Sequence, residues 1–266
     1  MFRNASGTER RRPDPLVVGR LLAGLLLVYY VVPIVVLVAS YPPGTAVAAL
    51  ADGVVAGAAT TSLLAATVSA GVATAFGLPL AYWLARSESR LTGPVTAIAV
   101  LPLVLPPVVS GMVLLSVFGP QALGGPAAAA GIPLTRSLVG VVLAQTFVAS
   151  PFVVVTGKAA FEGVDRRLEH ASRSLGRSRG YTLRRVTLPL AWPGILAGIT
   201  LAFARSIGEF GATMMMAYYP RTMPVQIWAS YVSLGLEAAF PIAVLLLLIA
   251  LGALGLIAIA GRLPFL

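Results

Sequence analysis

Two charged residues interrupt a long apolar stretch in the C-terminal half of the sequence. Arg205 and Glu209 are four residues apart, so in a helix their side chains lie on one face and can form an ion pair. A charge inside a membrane segment is costly and usually faces a protein interior or a water-filled path. Two interpretations stay open: the pair lines or gates the path of an anion, or each charge simply neutralises the other.

Other side chains that could perform catalysis or bind a metal are scarce. The 266 residues include no Cys and one His, which excludes a thiol nucleophile, a disulfide framework and a metal site made of several histidines. The phosphate-binding pattern G-x-x-x-x-G-K-[ST] does not occur in the sequence. We therefore expect no catalytic residue, no metal site and no cofactor. Because that pattern binds the phosphates of ATP, a function that needs ATP hydrolysis would depend on a separate chain.

The composition is that of a membrane protein. Hydrophobic residues make up 58% of the chain and charged residues 11%, against roughly 25% charged residues in an average soluble domain. So few charges cannot provide the polar surface of a soluble enzyme, a nucleic-acid-binding domain or a disordered protein. We predict an all-α integral membrane protein, because a helix satisfies its own backbone hydrogen bonds in lipid.

The gaps between charged residues locate the membrane spans. About 20 apolar residues cross a hydrocarbon core of about 30 Å. A stretch rich in Gly, Pro and Ala, at 119–133, divides the longest uncharged region into two spans. Six spans are predicted, at about 21–40, 58–84, 93–118, 137–156, 189–217 and 240–260.

The distribution of basic residues predicts the orientation. With the N-terminus inside, 16 of the 19 Lys and Arg residues fall on the cytoplasmic side, as the positive-inside rule requires. Both termini are then cytoplasmic. Residues 1–20 are a basic cytoplasmic tail, and residues 21–262 form the transmembrane domain.

One long polar segment, at about 158–189, faces the cytoplasm in this topology. Apolar residues at helical spacing predict an amphipathic helix that Gly176 ends. Such a helix can rest on anionic lipid headgroups or occupy the groove of a partner protein. The predicted apolar stripe consists of Phe161, Val164, Leu168, Ala171 and Leu175.

This segment resembles the EAA loop of the permease subunits of ABC importers. The family pattern reads E-A-A, three residues, G, nine residues, I-x-L-P, and Gly176 holds the glycine place at the right distance from both ends. His170 stands where the family has glutamate, and Glu169 directly before it is the candidate substitute. The remaining matched residues are Ala171, Ser172, Val186, Leu188 and Pro189.

Three further segments narrow the resemblance to permeases for molybdate, tungstate and sulfate. The segment at 101–111 places prolines inside a span, where each one bends or breaks a helix. Broken helices are tolerated where they line a cavity, although a merely kinked structural helix would show the same prolines. The segments at 204–213 and 221–228 complete the likeness, and the residues of a path or gate would be Pro106, Pro107, Arg205 and Glu209.

The resemblance implies a type I ABC importer permease in the cell membrane, without enzymatic activity of its own. Its implied partners are a cytoplasmic ATPase in two copies, an extracytoplasmic solute-binding protein, a second permease chain and membrane lipid, but no nucleic acid. Molybdate or tungstate is the expected solute, and sulfate or thiosulfate is the alternative within the class. An integral membrane enzyme that modifies lipids is the alternative from a different class.

The predicted topology can be tested by cysteine labelling, since the natural chain has no Cys. A single Cys at Ser6, Ser89 or Ser178 is expected to react with an impermeant maleimide only from the cytoplasmic side. A single Cys at Thr45 or Ala128 is expected to react from outside. Labelling of the Ser178 position from outside would overturn the topology.

Overall fold

The fold is known from a computed structural model, which describes residues 15–260. The basic residues of the predicted tail between Arg3 and Arg12, the labelling position Ser6, and Arg262 lie outside that range. Over 15–260 the chain is helical and contains no strand, as predicted. In chain order the helices are α1 (Pro15–Ser40), α2 (Pro43–Ala48), α3 (Gly53–Arg86), α4 (Thr92–Val104), α5 (Pro107–Phe118), α6 (Gly124–Ala129), α7 (Leu138–Glu162), α8 (Arg166–Ser174), α9 (Arg179–Thr182), α10 (Leu188–Ile207), α11 (Gly211–Met216), α12 (Met223–Leu234) and α13 (Leu236–Ala260).

Five helical segments in the described range are long and apolar enough to cross a membrane. They belong to α1, α3, α7, the continuous helix 179–207 that joins α9 to α10, and α13. A sixth span is counted if α4 and α5 act as one, although these two helices are bent against each other by 116°. The predicted number of spans therefore agrees with the structure when this bent pair is one span.

Small residues form the centre of the molecule, where α3, α7 and α10 pack together. The buried face of α3 repeats every three or four residues and consists mostly of Ala, Ser and Gly. Small side chains let membrane helices approach closely, and dispersion contacts then replace the hydrophobic effect, which lipid does not provide between helices. By contrast, α1 buries none of its membrane-spanning window, and its apolar side chains face outward.

The boundaries around the predicted polar segment differ from the sequence expectation. Helix α7 continues to Glu162, so Phe161 belongs to a span and is buried with Val164 in the core cluster that also includes Ala191 and Ile195. The predicted stripe is therefore divided between two environments. The segment between α7 and the fifth span is therefore short. It comprises residues 163–178, with α8 at its centre.

The fifth span also ends earlier than predicted. Its helix stops at Ile207, and a break at Gly208–Phe210 separates it from α11. Glu209 consequently lies in the break and not on the helix that holds Arg205. Sequence reasoning missed Gly208 as the signal for the end of the helix, because a largely apolar sequence continues beyond it.

Candidate functional site

Helix α8 has a defined start and end. The Asp165 carboxylate caps its first turn by accepting a hydrogen bond from the Arg167 amide at 2.9 Å. At the other end Gly176 has φ +79°, in the left-handed region that favours glycine. The Gly176 amide donates to Arg173 O at 3.0 Å and the Arg177 amide donates to Ser172 O at 3.3 Å. This is a Schellman motif, and it satisfies carbonyls that the helix end would leave unpaired.

The two faces of α8 differ in chemistry and in exposure. Leu168, Ala171 and Leu175 form an apolar stripe that faces outward, and Leu175 is 82% exposed. We call these three residues the outer stripe. With about 100° between successive residues, the opposite face presents the polar side chains of Arg166, Glu169, His170 and Arg173.

Glu169 joins α8 to two spans through one oxygen atom. Its Oε1 accepts hydrogen bonds from Arg86 Nη2 at 2.6 Å, from Arg86 Nε at 3.1 Å and from Thr187 Oγ1 at 3.0 Å. Arg86 is the last residue of α3 and also donates to Val164 O at 3.2 Å. The Arg86 and Glu169 side chains are 13% and 15% exposed, so water screens this ion pair only in part. We call this arrangement the Glu169 bridge.

A second contact fixes the polar segment to the next span. The hydroxyls of Ser172 and Thr182 share a hydrogen bond of 2.9 Å. Beyond it the helix widens into one π-type turn, Leu183–Thr187, before α10. The remaining predicted residues are in this region: Val186 in the π-type turn, Leu188 against the core and Pro189 in the first turn of α10.

The structure thus brings the two halves of the EAA-like pattern together. Glu169 and Ser172 contact Thr187 and Thr182, which lie at the start of the following span. Sequence reasoning missed the receiving residues Arg86, Thr182 and Thr187. Arg86 is 83 residues from its partner, and no local pattern marks such a pair.

A second group of predicted residues lies where two helices break. Pro106 is extended in the gap between α4 and α5 (φ −53°, ψ 137°), and Pro107 begins α5. Helix α11, which follows the other break, packs against α5. Gly211 makes this possible, because a Cβ there would lie 2.9 Å from Pro107 Cβ and 3.0 Å from the Val108 nitrogen.

Arg205 and Glu209 form the ion pair that their spacing predicts. Glu209 is 1% exposed, and its Oε1 also accepts a hydrogen bond of 2.7 Å from the Ala212 amide. The carboxylate therefore spans the break from the last turn of α10 to the first turn of α11. The predicted residues of the path assemble around the two breaks, with Pro107 against Gly211 and Glu209 two residues away.

Comparison with known proteins places this architecture in a broad group. The family model described as "Binding-protein-dependent transport system inner membrane component" matches residues 77–263. The chain is 60% identical to the probable molybdenum ABC transporter permease protein of Haloferax volcanii over 245 residues, which are 92% of this chain and 90% of that protein. It is 36% identical to the molybdate/tungstate transport system permease protein of Pyrococcus abyssi, with coverage of 87% and 89%.

Solved structures share the fold at low sequence identity. A bacterial ABC transporter involved in the import of the acidic polysaccharide alginate superposes with a TM-score of 0.66 at 16% identity, covering 93% of this chain and 95% of that chain. An inward-facing form of the methionine ABC transporter MetNI gives 0.58 at 20% identity, with coverage of 76% and 89%. The predicted type I importer fold is confirmed by these two structures.

The ion pair at the second break predicts an asymmetry between single and double substitutions. Arg205→Met leaves the Glu209 carboxylate buried without its cation and should cost about 3–5 kcal/mol of stability. Adding Glu209→Gln removes the charge and keeps an oxygen for the Ala212 amide, so the double variant should recover most of that loss. The measurement is the thermal unfolding midpoint of the purified protein in detergent. A double variant less stable than Arg205→Met alone would contradict the pairing.

Proposed function

The chain belongs to the family of binding-protein-dependent transport system inner membrane components, and we propose that it moves molybdate or tungstate through the membrane. It is a multi-pass membrane protein and the permease subunit of an ABC transporter, a transport component and not an enzyme. The observation that carries the choice of solute is the 60% identity to a probable molybdenum permease over nearly the whole of both chains.

More distant relatives support the same solute class. The permease protein of Mycobacterium tuberculosis that is 40% identical over 208 residues is also named for molybdenum transport. These names favour molybdate or tungstate over sulfate or thiosulfate. They also favour transport over the alternative of an integral enzyme that modifies lipids.

The proposed assembly contains two permease chains, two ATPase subunits and one external binding protein. Each permease chain provides one α8, so two permease chains provide one such helix for each subunit of an ATPase dimer. The outward-facing apolar surface of α1 supports further contacts with lipid or with a second permease chain. The basic residues around α8 support a cytoplasmic position for this end of the molecule and for both termini.

Helix α8 is the proposed site of ATPase docking. Its outer stripe offers Leu168 and Leu175 as exposed apolar anchors, and an amphipathic helix lays such a face into a groove of its partner. The Glu169 bridge and the Ser172–Thr182 bond then connect the docked helix to α3 and α10. ATP binding favours one arrangement of the ATPase dimer, and these connections bias the membrane helices toward the matching state.

The two helix breaks are the proposed gate. A break lets backbone and polar side chains face a path without exposing them to lipid. The hydroxyls of Ser110, Ser206 and Thr213 are buried and have no hydrogen-bond partner within residues 15–260. Opening of the gate would expose these hydroxyls, and their O–H donors suit an anion that has shed part of its hydration.

The proposed function is tested in vesicles that contain the permease, its ATPase and its binding protein. Wild type should take up radiolabelled molybdate with ATP, and tungstate should compete better than sulfate. Gly176→Val places a branched side chain at a positive φ, at a cost of roughly 1–2 kcal/mol, and misplaces the end of α8. Ala171→Asp puts a charge into the outer stripe and should weaken ATPase binding about tenfold or more.

Both variants should still insert and purify as wild type, because no heavy atom lies within 4 Å of a Cβ at Gly176 and Ala171 is exposed. Ser178→Thr is the matched control, since its hydroxyl still accepts from the Tyr181 amide that Ser178 Oγ caps at 3.2 Å. ATPase co-purification and ATP-dependent uptake are measured together. Normal coupling in both variants would reject α8 as the docking site, and sulfate uptake without molybdate uptake would reject the solute.

A further inference from the structure

A cavity of about 430 Å³ lies behind α8, between that helix, the end of α3 and the first turn of the fifth span. It is distinct from the two helix breaks and from the outer stripe. Among the side chains that line it, basic ones predominate. They are Arg86, Arg166, Arg173 and Arg179, and His170 and Tyr82 lie beside them in the lining.

The charge inside this cavity is not balanced. Within residues 15–260, Glu169 is the one carboxylate that lines it, and Arg86 already neutralises that group at 2.6 Å. Arg173 and Arg179 form no ion pair with any residue between 15 and 260, and Arg166 reaches only the exposed Glu88, at 3.7 Å. At least two arginines that line this concave surface therefore have no carboxylate partner among residues 15–260.

The cavity is on the opposite side of α8 from the proposed docking surface. Successive residues of an α-helix are about 100° apart, which places Arg166 and Arg173 roughly 170° and Glu169 roughly 130° from the centre of the outer stripe. A protein bound to Leu168 and Leu175 would thus not cover the cavity on the other side of α8. Its occupant must be small, or must reach it from the membrane side.

We propose that this cavity is an anion site that binds a tetrahedral, phosphate-like oxyanion. Guanidinium groups present forked N–H donors that match the oxygens of phosphate and related anions, and the resulting hydrogen bonds are strong because both partners are charged. The hydroxyl-bearing residues Tyr82 and Thr182 also line the cavity. The oxyanion can be free in the cytoplasm, as a released solute or phosphate, or it can be the headgroup phosphate of an anionic lipid.

The position of the site links it to transport, a link that rests on the proposed function. An anion bound by both Arg173 of α8 and Arg179 of α9 connects these two helices. Occupancy would therefore change how firmly α8 is held while its outer stripe stays free for the ATPase. The site would let an internal anion, or the lipid around the protein, adjust coupling.

The experiment measures hydrogen exchange of backbone amides in residues 166–183. The full chain, with any subunits that purify with it, is placed in nanodiscs of phosphatidylcholine and titrated with tungstate or inorganic phosphate at constant ionic strength set by chloride. Binding should slow exchange in this segment. Arg173→Gln and Arg179→Gln should each weaken the apparent affinity about tenfold.

The matched control is Arg167→Gln with Arg184→Gln, which removes two charges from the same region but from residues that do not line the cavity. Its affinity should equal that of wild type. Repeating the measurement in nanodiscs that contain phosphatidylglycerol distinguishes a lipid headgroup from a free oxyanion as the bound group. Slow exchange before any anion is added, lost in the Arg173 and Arg179 variants, identifies a lipid headgroup, whereas a response only to added anion identifies a free oxyanion.

No change in exchange under either condition would overturn the proposal, as would protection that survives in the Arg173→Gln, Arg179→Gln double variant. Arg173→Lys retains the positive charge and shows whether the segment still folds, because its exchange without anion should equal that of wild type. The outcome is independent of the proposed function. Absent protection with normal molybdate uptake rejects the anion site alone, and protection without uptake rejects the proposed function alone.

Discussion

One carboxylate oxygen, Glu169 Oε1, connects three parts of the chain that are far apart in sequence. It accepts hydrogen bonds from Arg86 at the end of α3 and from Thr187 before α10 while it belongs to α8. Hydrogen bonds to a charged group contribute about 1.5–3 kcal/mol each, and partial burial reduces screening by water. A short nine-residue helix with an exposed apolar face would have no fixed orientation without such ties, and a helix that moves freely cannot transmit force.

The rest of the architecture combines a rigidly packed core with local breaks in the helices. Small residues on α3 let it pack tightly on α7 and α10, and this core carries the ends to which α8 is tied. The helices are interrupted at the two breaks of the proposed gate, and these interruptions are stabilised in different ways. Pro106 and Pro107 each lack a backbone N–H that would otherwise need a partner at one break, and the Glu209 carboxylate joins Arg205 to the Ala212 amide across the other.

Much of this could be predicted from the sequence, because a membrane span must be apolar and charged residues therefore mark where the spans end. Rare charges located the spans, and the spacing around Gly176 located the end of α8. Features that depend on contacts between distant residues could not be predicted. Phe161 and Val164 repeat with Leu168 at helical spacing, yet the structure buries them in the core. Glu209 was expected on a helix with Arg205 and lies in a break, because α10 stops before Gly208 although a largely apolar sequence continues beyond it.

The central claim is that α8 has a docking face and a tied face, and site-specific photo-cross-linking tests it most directly. A photoreactive amino acid is placed in turn at Leu168, Ala171 and Leu175 on the outer stripe, and at His170 and Arg173 on the opposite face, in membranes that contain the ATPase. The account predicts cross-links to the ATPase from the three stripe positions and none from the other two. Equal cross-linking from both faces, or cross-links only from His170 and Arg173, would contradict it.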